Sequence, residues 1–234
     1  MLLRAIRSLA RLMIFVGIAL FLPAGDLWWA RGWLFVMVFL VLTAPSVLYL
    51  WRTNPDIFAA RSKIHRGTKS WDKVLVAVLV VSFMTEFPAA ALDAGRFHWS
   101  TVPLWLIVLG YVLLAGGFLV SVWAYRVNKF AEPGVRVQAE RSQKVIDSGP
   151  YAILRHPVYF GGLLVFASIP PALGSLWALI PAAVGTVTMV VRIVMERRRL
   201  FAVNFRDTTS TPAGSAIDCS PAFGRGQAVR VTAN

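Results

Sequence analysis

Between Pro157 and Val191 the chain runs 35 residues without a charged side chain. A helix rises about 1.5 Å per residue and the hydrocarbon core of a bilayer is about 30 Å thick, so this run is too long for one crossing. It must fold back on itself. Pro170, Pro171, Gly174 and Ser175 mark the place, because Pro and Gly in succession favour a turn. The sequence therefore predicts a short helix over Pro157–Ile169 and a longer one over Leu176–Leu200. The short arm either spans the bilayer or re-enters it.

Four other charge-poor stretches complete the map: Leu12–Gly25, Gly32–Trp51, Val74–Leu92, interrupted by Glu86, and Phe97–Tyr125. With 57% hydrophobic and only 15% charged residues among 234, the composition excludes a soluble core, a disordered chain and a disulfide scaffold. The expected fold is all-α: a polytopic transmembrane bundle of five to six helices with a C-terminal helical hairpin. Residues 1–201 form its membrane domain, and 202–234, rich in Ser, Thr, Gly and Ala, form a disordered tail.

The net charge of +13 suggests nucleic acid until its distribution is read. Lys and Arg number six in Arg52–Lys73, six in Arg126–Arg155 and seven from Arg192 onward, but one each in Pro23–Gly32 and Asp93–Thr101. Positive residues collect in cytoplasmic loops, so the alternation places both termini in the cytoplasm and needs no nucleic acid partner. Arg4, Arg7 and Arg11 before a short apolar run also fit a signal peptide. Against that, no small-residue cleavage site precedes Asp26, and Trp28, Trp29 and Trp33 read as an interfacial belt.

The polar information concentrates between Arg126 and Tyr159. Gly149-Pro150 favours a turn. His156 directly precedes Pro157, which suits a first helical turn, and Tyr159 follows three residues later on the same face. The free N–H groups of that turn favour an anionic ligand; the same residues also make an interfacial anchor. Arg192 and Glu196 lie one turn apart on the last helix, either as an ion pair (with Arg199 as a rival partner for Glu196) or as a carboxylate for a ligand ammonium. Glu86 is read as a carboxyl close to the outer interface, and Gly116-Gly117 as a close helix contact. His65, His98 and the single Cys219 have no ligand-spaced partners, so no metal site is expected.

Gly149-Pro150-Tyr151, then Arg155-His156-Pro157-Val158-Tyr159, a short hairpin, and Arg192 with Glu196 resemble the isoprenylcysteine carboxyl methyltransferase family, and more broadly the membrane methyltransferases that include phospholipid N-methyltransferases. Asn54-Pro55 and Trp71-Asp72 resemble its bacterial members. The likeness covers about residues 50–200. It implies a bacterial inner-membrane enzyme that uses S-adenosylmethionine, in contact with the lipid bilayer and with a lipophilic small-molecule or lipidated substrate. The implied cofactor contacts are Gln138, Gln143, Lys144, Val145, Ile146, Tyr151, His156, Pro157, Val158, Tyr159 and Glu196. Arg192 matches the arginine proposed to meet a substrate carboxylate. The acceptor implied first is a carboxylate, as in isoprenylcysteine O-methylation. Phospholipid or small-molecule N-methylation, and a catalytically impaired protein that keeps the fold, are the alternatives.

Chemistry agrees with that assignment. A methyl sulfonium is already activated, so an enzyme mainly aligns donor and acceptor and removes water, which supplies up to about 7–11 kcal/mol. No catalytic acid or base is expected. One departure stands out: Glu196 is followed by Arg197-Arg198-Arg199 rather than the second acid usual in bacterial members.

Overall fold

Each charge-poor stretch forms helix, though the helix within Phe97–Tyr125 begins at Leu104 and the last one at Leu179, later than the charge map suggests. The structure, a computed structural model, describes residues 2–61, 68–134 and 146–209, with side chains over 6–61, 68–134 and 146–196. In chain order the helices are α1 (Leu2–Ala24), α2 (Ala30–Thr53), a short α3 (Asp56–Arg61), α4 (Ser70–Ala90), a π-helical extension of α4 (Ala91–Phe97), α5 (Leu104–Val127), a 3₁₀ turn (Gly149–Ala152), α6 (Pro157–Leu173) and α7 (Leu179–Thr209). No strand occurs among the described residues. Five helical segments are long and apolar enough to cross a membrane, and α6 is a shorter apolar helix. The protein is thus an all-α polytopic bundle. It divides into two compact units, Met1–Met195 and Glu196–Asn234. All packing below is internal to the first; the described part of the second continues α7.

The core of the first unit is aromatic. Phe87 is fully buried and meets Phe15, Phe35 and Phe83 edge-on, with ring centroids 6.3, 6.0 and 5.3 Å apart. Such edge-to-face contacts align the ring quadrupoles favourably. Val16, Leu20, Leu114, Ile169 and Leu173 fill the space around them.

Helices α5 and α6 approach closely because small residues line their seam. A Cβ on Gly110 would stand 2.9 Å from the Ala172 Cα, and one on Gly117 would stand 2.9 Å from the Gly161 carbonyl oxygen. Lipid tails give helices no hydrophobic reason to associate, so such backbone contact is what binds them. Gly116, expected to share this role, instead has only Leu164 at 4.0 Å. Gly110→Leu should force the pair apart and cost about 1–3 kcal/mol, the usual penalty of overpacking. Gly116→Ala should leave the midpoint of unfolding in mixed micelles unchanged.

Two boundaries and one tryptophan differ from the sequence reading. Helix α6 includes both Pro170 and Pro171 and ends at Leu173, because Gly174 adopts φ 76° and the Ser175 N–H reaches the Pro170 carbonyl. A left-handed glycine, rather than the prolines, is the stop. The stretch expected as a loop after Leu92 is helical to Phe97. And Trp29 is buried, packed over Gly32 and Gly95, while Trp28 and Trp33 are exposed as a belt requires.

The hairpin holds one register. Gly185 lies under Phe166, Gly162 under Met189, and the Arg192 guanidinium over the Tyr159 ring. The turn is fastened by Asp93, which is fully buried. Its carboxyl accepts hydrogen bonds from the Ser100 N–H (2.9 Å) and Oγ (2.6 Å), the Ser175 Oγ (2.6 Å), and the N–H groups of Leu176 (3.1 Å) and Trp177 (3.2 Å). The last two N–H groups lie just before α7, where a helix has no internal partners for them.

Candidate functional site

About 24 Å from the turn, at 1.5 Å for each of the 16 residues from Tyr159 to Ser175, the opposite end of the bundle collects the polar residues of the sequence. Asn54 ends α2 with its own N–H on the Leu50 carbonyl, and its side-chain amide donates to the Tyr125 carbonyl at 2.5 Å. It thereby satisfies a carbonyl in the last turn of α5. Arg61 of α3 lies over the Tyr125 ring at 4.8 Å. Asn128, just past α5, donates to the Tyr151 hydroxyl at 2.8 Å. Burial raises the Tyr151 pKa above the ordinary tyrosine range, against the opposing effects of the Asn128 bond and the Arg61 charge. The phenol is therefore neutral at physiological pH.

The centre of this end is a buried ion pair. Asp72, in the first turn of α4, accepts the Arg192 Nε at 2.7 Å and Nη2 at 3.1 Å. The same Nη2 donates to the Pro133 carbonyl. Asp72 is fully buried and Arg192 nearly so. The guanidinium carbon sits 5.3 Å from the Tyr159 ring centroid, and Tyr159 stacks on His156 at 5.4 Å with 27° between planes. Pro157 at the first position of α6 fixes the turn that presents both rings, with His156 as the flanking cap residue.

The structure thus joins three of the expected site residues, His156, Tyr159 and Arg192, in one stack. Pro157 is buried beneath them, Val158 and Ile146 are half-buried, and Tyr151 stands on the Asn128 side. Gln138, Gln143, Lys144 and Val145 lie outside the described residues. Glu196 is half-buried on α7 and opens the second unit. Asp72 and Asn54 entered the sequence reading only through resemblance. Their partners lie 120 and 71 residues away, a separation no local pattern reveals.

Residues 105–203 match the family model described as phospholipid methyltransferase. The match runs from α5 into the last part of α7 and takes in Tyr151, His156, Tyr159, Arg192 and Glu196; Asn54 and Asp72 precede it. No curated protein and no solved structure matches the chain.

Glu86 belongs elsewhere. It is fully buried beside Phe87, and the helix continues for 11 residues beyond it to Phe97, so it is not a carboxyl at the outer interface. Neither of its oxygens has a hydrogen-bond partner among the described residues. The described residues contain no group of three or more His, Cys, Asp or Glu able to hold a metal ion.

Proposed function

We propose that the protein is an integral membrane methyltransferase that moves a methyl group from S-adenosylmethionine to a lipophilic acceptor at the Asp72–Arg192 end of the bundle. The observation that carries this reading is the stack of His156, Tyr159 and Arg192 at the start of α6, inside the stretch similar to phospholipid methyltransferases. The residues present suit the cofactor. Aromatic faces suit a sulfonium cation, and Glu196 suits an ammonium. Gln138, Gln143, Lys144, Val145, Ile146, Tyr151, His156, Pro157, Val158, Tyr159 and Glu196 form the proposed cofactor contacts. We also assign the stack to the cytoplasmic face of a bacterial inner membrane, with both termini inside, residues 1–201 as the membrane domain and 202–234 as a tail.

When bound, the cofactor supplies an activated methyl on sulfur, and transfer breaks that S–C bond as the acceptor forms its new bond to carbon. The chain's part is to hold the two partners in line and keep water out. The Asp72 carboxylate already occupies Nε and Nη2 of Arg192. This favours an uncharged nitrogen of a lipid headgroup as acceptor, its proton leaving to water, over a carboxylate that would compete with Asp72. The guanidinium itself keeps a carboxylate acceptor as the second reading.

Calorimetry on the full chain in detergent should register binding of S-adenosylmethionine. Glu196→Ala should weaken it about 10- to 100-fold, the worth of a charge-assisted hydrogen bond of about 1.5–3 kcal/mol. Absence of binding at millimolar cofactor would defeat the reading. Label transferred from the cofactor to membrane lipids should resist mild base if the acceptor is nitrogen and be released if it is a carboxylate.

A further inference from the structure

We infer that Asp72 is a positioning residue of the proposed methyl transfer, acting through Arg192 on Tyr159 and His156; the inference rests on the function proposed above. Asp72 lies outside the stretch similar to phospholipid methyltransferases, in the first turn of α4. Its two oxygens grip Nε and Nη2 of Arg192 side-on, and Pro133 takes a further bond from Nη2. Two parallel bonds fix the plane of a guanidinium as well as its place. That plane lies over Tyr159, and the ring of Tyr159 stacks on His156. Asp72 therefore sets, through the guanidinium over Tyr159 and the stack of Tyr159 on His156, the attitude of the rings at the start of α6.

Stability does not explain the pair. Buried ion pairs are often no more stabilising than apolar residues of equal volume. A membrane bundle with so much apolar side chain at hand had that option at positions 72 and 192. A fixed orientation is what an aliphatic pair would not provide. Orientation is also the main thing a methyl transfer asks of its enzyme, and a displacement of about 1 Å there lowers rates about 100-fold.

The test uses the full chain in native membranes and in micelles, with labelled S-adenosylmethionine as probe. Asp72→Asn should lower the rate of label transfer about 100-fold and raise the cofactor concentration for half-maximal rate, because the displaced rings are proposed cofactor contacts. A second readout needs no turnover. The chain has three histidines, and Asp72→Asn should move the His156 imidazole resonances while leaving those of His98 in place. Asp72→Glu, which keeps the charge, should restore the melting temperature and bring both readouts part of the way back. A folded Asp72→Asn protein with unmoved His156 resonances, or with the rate of the unaltered chain, overturns the inference. If Asp72→Asn does not fold, Asp72→Glu decides: a displaced His156 signal with reduced transfer supports it, and an unaltered one overturns it. An unaltered chain that binds cofactor and transfers label, beside an Asp72→Asn protein that matches it, refutes the role of Asp72 alone. An unaltered chain that does neither refutes the methyltransferase reading, and this inference with it.

Discussion

Asp93→Ala is expected to destabilise the bundle by about 2–4 kcal/mol, because it removes the acceptor shared by five donors, of which the Ser175 hydroxyl is buried. Two hydroxyls and three backbone N–H groups converge on this carboxyl, from Ser100 on one side and Ser175, Leu176 and Trp177 on the other. Asp93 also joins the end of the α4 extension to the turn between α6 and α7. Its loss should therefore loosen the hairpin specifically, with hydrogen exchange rising first at Leu176 and Trp177. Asp93→Asn keeps the shape but replaces one acceptor by a donor among donors, and should recover less than half of the lost stability. Reversible unfolding in mixed micelles measures both. A change below about 1 kcal/mol for Asp93→Ala would mean that the turn is held by something else.

The second large effect has the opposite sign. Glu86→Met should stabilise the protein by about 2–4 kcal/mol, since a buried polar group without a hydrogen bond costs about 2–7 kcal/mol against an apolar one. Glu86 is wholly enclosed, and neither oxygen is bonded among the described residues. Methionine matches its length and flexibility and is apolar. Glu86→Gln, which keeps an unpartnered polar group, should gain little. The comparison separates removal of the polar atoms from a mere change of shape. A lower melting temperature for Glu86→Met would show that the carboxyl has a partner that stabilises it.

These two acids show where sequence reading stops. Both lie in or beside an apolar stretch, and pattern alone treats them alike. Sequence places Asp93 in a loop and Glu86 near an interface, yet one is saturated with donors and the other has none among the described residues. The difference is set by Ser100 and Ser175, and Ser175 lies 82 residues from Asp93. Trp29 makes the same point. Three tryptophans in six residues read as one belt, but the glycines at 32 and 95 open a slot that only Trp29 enters. The choice between Gly116 and Gly117 likewise depends on which face of α5 meets α6.

The hairpin was more legible. The predicted turn over Pro170–Ser175 makes the last two helices an antiparallel pair, and the structure sets their register, with Tyr159 opposite Arg192. Charge spacing and hydropathy thus determined by themselves the long apolar helices and the fold-back of the last run, because each follows from helix rise and the cost of exposing charge to lipid; the grouping of the Arg155–Tyr159 block with Arg192 came from the resemblance. Only the tertiary structure decided that Asp72 grips Arg192, that Asp93 ties down the turn and that Glu86 is buried with no hydrogen-bond partner among the described residues. Each depends on which side chains from distant helices share one small volume. That is fixed by packing among faces of similar hydropathy, to which a linear pattern of apolar residues is blind.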